Sequence, residues 1–347
     1  MHDLANKSEP ATHRLSRRTQ ALAMLLLANL FWGLSFPTIK AVVLIHAAAL
    51  PGSTNSFITA MSVTPRYVLS ALVMLVWQAG RLGALTRREL EQGIAIGLFT
   101  ALGMVFQNDG LQFTSASTSA FLTQLYAILI PVWIALRERR NPGIRVWLAG
   151  LLVLGGVALL GHFDWRTWSF GRGEWETLVC SVFYAGQILC VARKEYAGND
   201  ALRITTVMFA TEAVVFLGFL GCTAPSVRAV TALCAVVPWS SLTLLLACTC
   251  TLAAFILMNR WQPEITAIEA GLVYCIEPVF GALFALFLPA LYSRFGDIAY
   301  ANETATWSLL LGGALITLAN VILNLRPSGG GGSQCGKNAA DVSSGAR

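Results

Sequence analysis

The sequence is poor in charge. Only 12% of its 347 residues are Asp, Glu, Lys or Arg, against about 25% in an ordinary soluble protein. With 56% hydrophobic residues, too little polar surface remains to cover a water-facing domain, so lipid is the chain's main solvent. Histidine is also scarce, and His2, His13, His46 and His162 all fall in tails or loops between apolar runs. No HExxH is present and no GxSxG lies on an apolar run, so an intramembrane enzyme lacks both its metal ligands and its nucleophile. No P-loop appears, which excludes an ATP-driven pump. The eight cysteines form no CxxC pair and have no histidine cluster beside them. Cys180, Cys190, Cys248, Cys250 and Cys275 lie in apolar runs and read as small packing side chains. No metal site and no cofactor is expected. The net charge of +6 comes with no nucleic-acid motif, so no nucleic-acid partner is expected. The basic residues cluster in short stretches between apolar runs, where they mark topology.

Long apolar runs are what the chain has in quantity. About 20 apolar residues are needed to cross some 30 Å of hydrocarbon. Such runs lie near 21–43, 65–80, 93–110, 115–136, 144–162, 174–192, 204–223, 239–258, 266–290 and 306–325. The second is short, bracketed by Arg66 and Gln78, and the run at 228–238 blurs the boundary of the seventh and eighth. The first run is too long for the core of a signal peptide. Counting Lys and Arg on alternate sides gives 18 on the side of the N-terminal tail and 5 on the other, with Lys40 inside a run. That imbalance predicts both termini in the cytoplasm of a multi-pass cell-membrane protein. Residues 1–20 read as a basic cytoplasmic tail. The Gly/Ser-rich residues 326–347 read as a flexible cytoplasmic tail, with too few apolar groups to fold.

The apolar core repeats. Phe31-Trp32-Gly33 matches Phe183-Tyr184-Ala185 at a spacing of 152, and Ser115-Ala116 matches Thr266-Ala267 at 151. Trp147 with Gly150 resembles Trp307 with Gly312-Gly313. These matches predict an all-α integral membrane fold of ten transmembrane helices in two five-helix repeats, 21–163 and 174–325. Five is odd, so the second copy enters the membrane inverted. Inverted repeats are common in secondary transporters, with the substrate site between the halves near the midplane.

Three motifs carry a family resemblance. Trp32-Gly33-Leu34-Ser35-Phe36-Pro37-Thr38-Ile39-Lys40 resembles the first-helix signature of the EamA-like branch of the drug/metabolite transporter superfamily. Gly110-Leu111-Gln112-Phe113-Thr114-Ser115-Ala116-Ser117, followed by Ala120-Phe121-Leu122-Thr123, resembles its third-to-fourth helix junction, and Glu277-Pro278-Val279-Phe280 its ninth-helix Glu-Pro motif. The likeness extends over about residues 21–325. It implies a central cavity lined by helices 1, 3, 4, 6, 8 and 9, and export of amino acids or other metabolites. Met258 stands where many members carry Gln, and the outer loop at 44–64 is longer and richer in Ser and Thr than usual.

Polar residues at membrane depth cost about 2.5–3.5 kcal/mol on insertion scales, so each needs a partner or a wet cavity. Glu277, in mid-run beside Pro278 and on one face with Tyr274, is the leading candidate. A carboxyl group placed there can take up and release a proton, which makes protons the candidate coupling ion. Lys40 ends the face Trp32-Phe36-Lys40; it is expected to bind a carboxylate substrate, to pair with Asp109, or to snorkel to the outer surface. Gln107 and Asp109 belong either to the site or to an ordinary helix end. Trp32 and Tyr126 offer rings on which a flat substrate can stack. Pro37, Pro131 and Pro278 are expected to break their helices. Glu212 lies mid-run in a helix that the family keeps peripheral. Glu269 reads as a helix N-terminal acid. Ser115, Ser117, Ser119, Thr123, Gly150, Gly155 and Gly156 read as helix-contact residues. The expected partners are the lipid bilayer and a small-molecule substrate. The expected activity is secondary transport of a small polar metabolite such as an amino acid; the alternatives are an intramembrane enzyme and a non-transporting scaffold or sensor.

Overall fold

The structure, a computed structural model, describes residues 11–137, 139, 144–160, 171–274 and 276–324. The expected tail at 326–347 and residues 1–10 of the basic tail lie outside them. Among the described residues there are no strands, and helices account for 85% of them. Fifteen α-helices run in order: α1 Ala11–Ala49, α2 Asn55–Gln78, α3 Arg87–Gly110, α4 Ala116–Thr123, α5 Tyr126–Arg137, α6 Ile144–Leu160, α7 Arg172–Val191 and α8 Ala201–Thr223. They continue with α9 Val227–Cys234, α10 Val237–Leu245, α11 Ala254–Trp261, α12 Ala267–Tyr274, α13 Glu277–Ala285, α14 Leu288–Gly296 and α15 Trp307–Asn324. A π-helical stretch, Leu246–Ala253, joins α10 to α11.

Polarity is inverted relative to a soluble protein. Val76, Trp77, Val214 and Trp307 are exposed, while Asn29, Arg66, Asn108, Glu212 and Glu277 are buried. Apolar side chains outside and polar ones inside suit a hydrocarbon solvent. Among the described residues six helical segments are long and apolar enough to cross a membrane: Arg17–Ala49, Asn55–Ala84, Arg87–Gly110, Ala116–Arg137, Ala201–Thr223 and Val237–Glu264. A seventh is gained if α13 and α14, bent by 55°, count as one span. α7 has 20 residues, but Arg172, Glu174 and Glu176 occupy its first two turns.

Several boundaries differ from the sequence expectation. The loop expected at 44–64 is mostly helix, since α1 runs to Ala49 and α2 starts at Asn55. The Thr54 side chain accepts a hydrogen bond from the Phe57 N–H and caps α2. Thr59 and Ser62 return their hydroxyls to the carbonyls of Asn55 and Thr59, so hydroxyl residues that read as loop are satisfied inside a helix. Arg66, counted with the outer loop, is instead buried within α2. The stretch at 228–238 contains its own short helix, α9. The fourth run divides into α4 and α5 at residues 124–125, and in the ninth α12 runs to Tyr274 and α13 starts at Glu277.

Two prolines expected to break helices do not. Pro37 lies inside the unbroken α1, and Pro131 inside α5, five residues beyond its start. A proline in a membrane helix is tolerated where neighbouring turns and helices take over the freed carbonyl. Pro278 does stand at a helix start, in the first turn of α13.

Glycines set the close crossings. A Cβ on Gly93 would stand 3.0 Å from the Ile204 carbonyl oxygen and one on Gly97 2.8 Å from that of Met208, so α3 lies directly on α8. Gly33 brings α1 equally close to α13. Among the broken helices, α4 packs on α13 and α5 on α12. At one end of the bundle, Glu89 closes a capping box with Thr86 at the start of α3. It also takes two bonds from Arg203 of α8, at 2.6 and 3.0 Å. At the same end Arg18 pairs with Glu269 at 2.8 Å, while Glu269 and Thr266 cap α12 reciprocally.

Candidate functional site

A cavity lies in the middle of the bundle. Six walls enclose it, and each supplies residues three apart: Trp32 and Ser35 of α1, Met104 and Gln107 of α3, and Thr123 and Tyr126 at the α4–α5 break. The other three are Tyr184 and Gln187 of α7, Phe255 and Met258 of α11, and Tyr274 and Glu277 at the α12–α13 break. Ile188 completes the lining. A spacing of three keeps both residues of a pair on one face of a helix. Every wall of the first half also recurs in the second at a spacing of 151 or 152: Trp32 with Tyr184, Ser35 with Gln187, Met104 with Phe255, Gln107 with Met258, Thr123 with Tyr274, and Tyr126 with Glu277.

The two sides of the cavity are held together differently. On one, the Tyr184 hydroxyl donates to Gln107 Oε1 at 3.0 Å, and Gln107 Nε2 donates to Thr123 Oγ1 at 3.3 Å. Thr123 passes its own proton to the Ser119 carbonyl at 2.8 Å. This chain satisfies both ends of a buried amide. On the other side, Trp32 meets Phe255 and Tyr274 edge to face, with centroids 5.5 and 5.6 Å apart. The Tyr274 hydroxyl points away from the cavity and donates to Gln262 Oε1 at 2.9 Å, while Gln262 Nε2 donates to the Ile188 carbonyl at 3.1 Å. Glu277 is 7% exposed, and among the described residues nothing bonds to or pairs with its carboxyl group.

Of the residues expected from sequence, Trp32, Gln107, Tyr126, Tyr274 and Glu277 come together here. Lys40 and Asp109 do not. Lys40 Nζ donates to the carbonyls of Leu111, Gln112 and Thr114 at 2.5, 3.2 and 3.0 Å. It thereby satisfies orphan carbonyls where α3 ends, the negative pole of that helix. Asp109 accepts from Thr59 Oγ1 at 2.6 Å and pairs with Arg172, which also binds Glu176 at 2.7 Å and covers the Phe113 ring. Both residues fasten the end of α3 to its neighbours. Tyr184, Gln187, Ser35, Met104, Phe255 and Ile188 were not anticipated. The repeat spacing, applied to Trp32, Gln107 and Tyr126, points to Tyr184, Met258 and Glu277 and was the usable signal.

A second buried polar group lies behind the Met104 wall. Arg66 Nη2 sits 3.1 Å from Met104 Sδ, its guanidinium 5.1 Å from the centre of the Tyr67 ring. Glu212 of α8 is fully buried within electrostatic reach of Arg66, and both of its oxygens lack a hydrogen bond.

The chain is 25% identical over 321 residues to an uncharacterized transporter of Archaeoglobus fulgidus, covering 89% of this chain and 87% of that protein. A solved structure described only as "Crystal structure of protein" superposes with a TM-score of 0.52 at 18% identity, covering 89% of this chain and 98% of that one; it speaks for the fold alone. Residues 19–161 match the EamA-like transporter family. The resemblance read from the motifs is borne out over that stretch, and together these likenesses support a multi-pass membrane transporter.

Proposed function

We propose that the chain is a secondary transporter that exports a small polar metabolite by alternating access around the central cavity. The observation that carries this reading is the composition of the cavity wall: six pairs of lining residues at a constant spacing, one ending in an unpaired carboxyl group at a helix break. Irregular backbone at membrane depth belongs where it lines a cavity, and a site between two repeats lets each half exchange conformations with the other. The matching order of two short helices at the cavity, α4 and α12, each followed by a further helix, supports two five-helix repeats. So does the reciprocal packing of α4 on α13 and α5 on α12. On this reading the apolar helices make ten crossings, and the basic residues put both termini in the cytoplasm. Glu277 is the group that exchanges a proton as the cavity changes side.

Reconstitution tests this directly. Purified protein in liposomes, loaded with metabolite extract and given a pH gradient, should release solute in a gradient-dependent way. The E277Q variant should lose the dependence on the gradient. Equal release from wild-type and E277Q liposomes, with the same pH profile, would leave Glu277 a structural residue.

A further inference from the structure

Resting on the transport reading, we infer that the cavity selects an organic cation, an amine joined to a flat apolar body, and rejects solutes carrying a carboxylate. The charge inventory of the wall is one-sided. Among the thirteen lining residues Glu277 alone ionises readily, and none is Lys, Arg or His. The neighbouring cations are engaged elsewhere. Lys40 is held on three carbonyls at the end of α3. Arg66 stands behind Met104, with its Nη2 3.1 Å from the Met104 sulfur, and is not one of the lining residues. A substrate carboxylate entering the cavity would therefore lose its hydration with no fixed cation to receive it, a steep penalty in a dry site. An ammonium group meets the opposite situation, a carboxyl group with no competing partner.

The rings supply the rest. Trp32, Tyr126, Tyr184, Phe255 and Tyr274 all line the cavity, and ring faces attract a cation as well as a flat apolar body. The polar wall opposite is closed on itself, because Gln107 and Thr123 spend their hydrogen bonds on Tyr184, on Ser119 and on each other. Trp32 Nε1 is buried without a partner, and Gln187 Nε2 meets only the Met258 sulfur, at 3.7 Å. Charge and protons balance: a monovalent ammonium ion enters as the neutral Glu277 carboxyl releases one proton, and the site's net charge is unchanged. Exchange of one amine cation for one proton follows.

Four probes sharing one ring separate the possibilities: 2-phenylethylamine as cation, 2-phenylethanol as neutral body, phenylalanine as zwitterion and 3-phenylpropionate as anion. Binding to the purified full chain is read by tryptophan fluorescence, and proton release by calorimetry in two buffers of different ionisation heat. The amine should bind at least tenfold more tightly than the alcohol and release about one proton, since charge-assisted hydrogen bonds in such sites are the strong ones. In E277Q the amine-to-alcohol ratio should fall to about one, and in E277D it should persist. Phenylalanine or phenylpropionate binding as tightly as the amine overturns the inference, as does an undiminished ratio in E277Q. Liposome uptake of the four probes tells the two failures apart. Uptake of the anion or zwitterion leaves transport standing and removes the cation selectivity; uptake of none removes both.

Discussion

Gly33→Ala should loosen the molecule at the crossing that positions Trp32 against Glu277. A Cβ at residue 33 would stand 2.5 Å from Phe280 Cβ, 2.9 Å from the Gly281 nitrogen and 3.1 Å from the Glu277 carbonyl oxygen. All three atoms are backbone or fixed to it, so no side chain can swing aside. Relief requires α1 and α13 to part by about 1 Å, and overpacking of that kind costs about 1–3 kcal/mol. Alanine also gains about 1 kcal/mol over glycine as a helix former, which would mask part of the loss. Gly150→Ala is the matched control, because a Cβ there meets nothing within 4 Å and only the propensity gain remains. Thermal unfolding in detergent should place Gly33→Ala below Gly150→Ala by on the order of 2–4 °C per kcal/mol. Transport should fall further than stability, since the displacement lies between two cavity walls. Equal melting temperatures for the two variants would refute the close crossing and the placement of Glu277 that depends on it.

Arg66→Met and Glu212→Gln should each change the stability of the bundle, because the two buried groups lie within electrostatic reach of one another and each substitution removes that interaction. The double variant should depart from the sum of the single changes by on the order of 1–3 kcal/mol; strictly additive unfolding energies would show that the two do not interact. Arg203→Lys should cost about 1–2 kcal/mol in the same unfolding assay, since a lysine cannot reproduce the two-pronged contact with Glu89, and an unchanged transition would deny that contact. An impermeant thiol reagent applied to intact cells should label Cys222 and Cys234, both exposed, at the ends of α8 and α9. Cys335 should react only after permeabilisation; labelling of Cys335 from outside would reverse the proposed topology.

Membrane residence, the apolar helices and the likeness to the EamA-like family over residues 19–161 were legible in the sequence. Each rests on composition, on the length of apolar runs or on local motif chemistry, and a bilayer reads those segment by segment. Pairing across the fold was not. Lys40 left substrate binding, pairing with Asp109 and snorkelling open, because a lone cation near an apolar face has several uses, and only the arrival of the end of α3 beside it decided that it would bind carbonyls. Asp109 was likewise settled by Thr59 and Arg172, which lie far from it in sequence. The Ser/Thr-rich residues 55–64 read as loop until Thr54 capped them and their hydroxyls closed on the helix backbone. The breaks between α4 and α5 and between α12 and α13 carry only one proline between them, in the first turn of α13. They arise where two broken helices cross, a tertiary event without a local signature. The repeat spacing stands between the two cases: it was in the sequence from the start, but only folding brought its six pairs around one cavity.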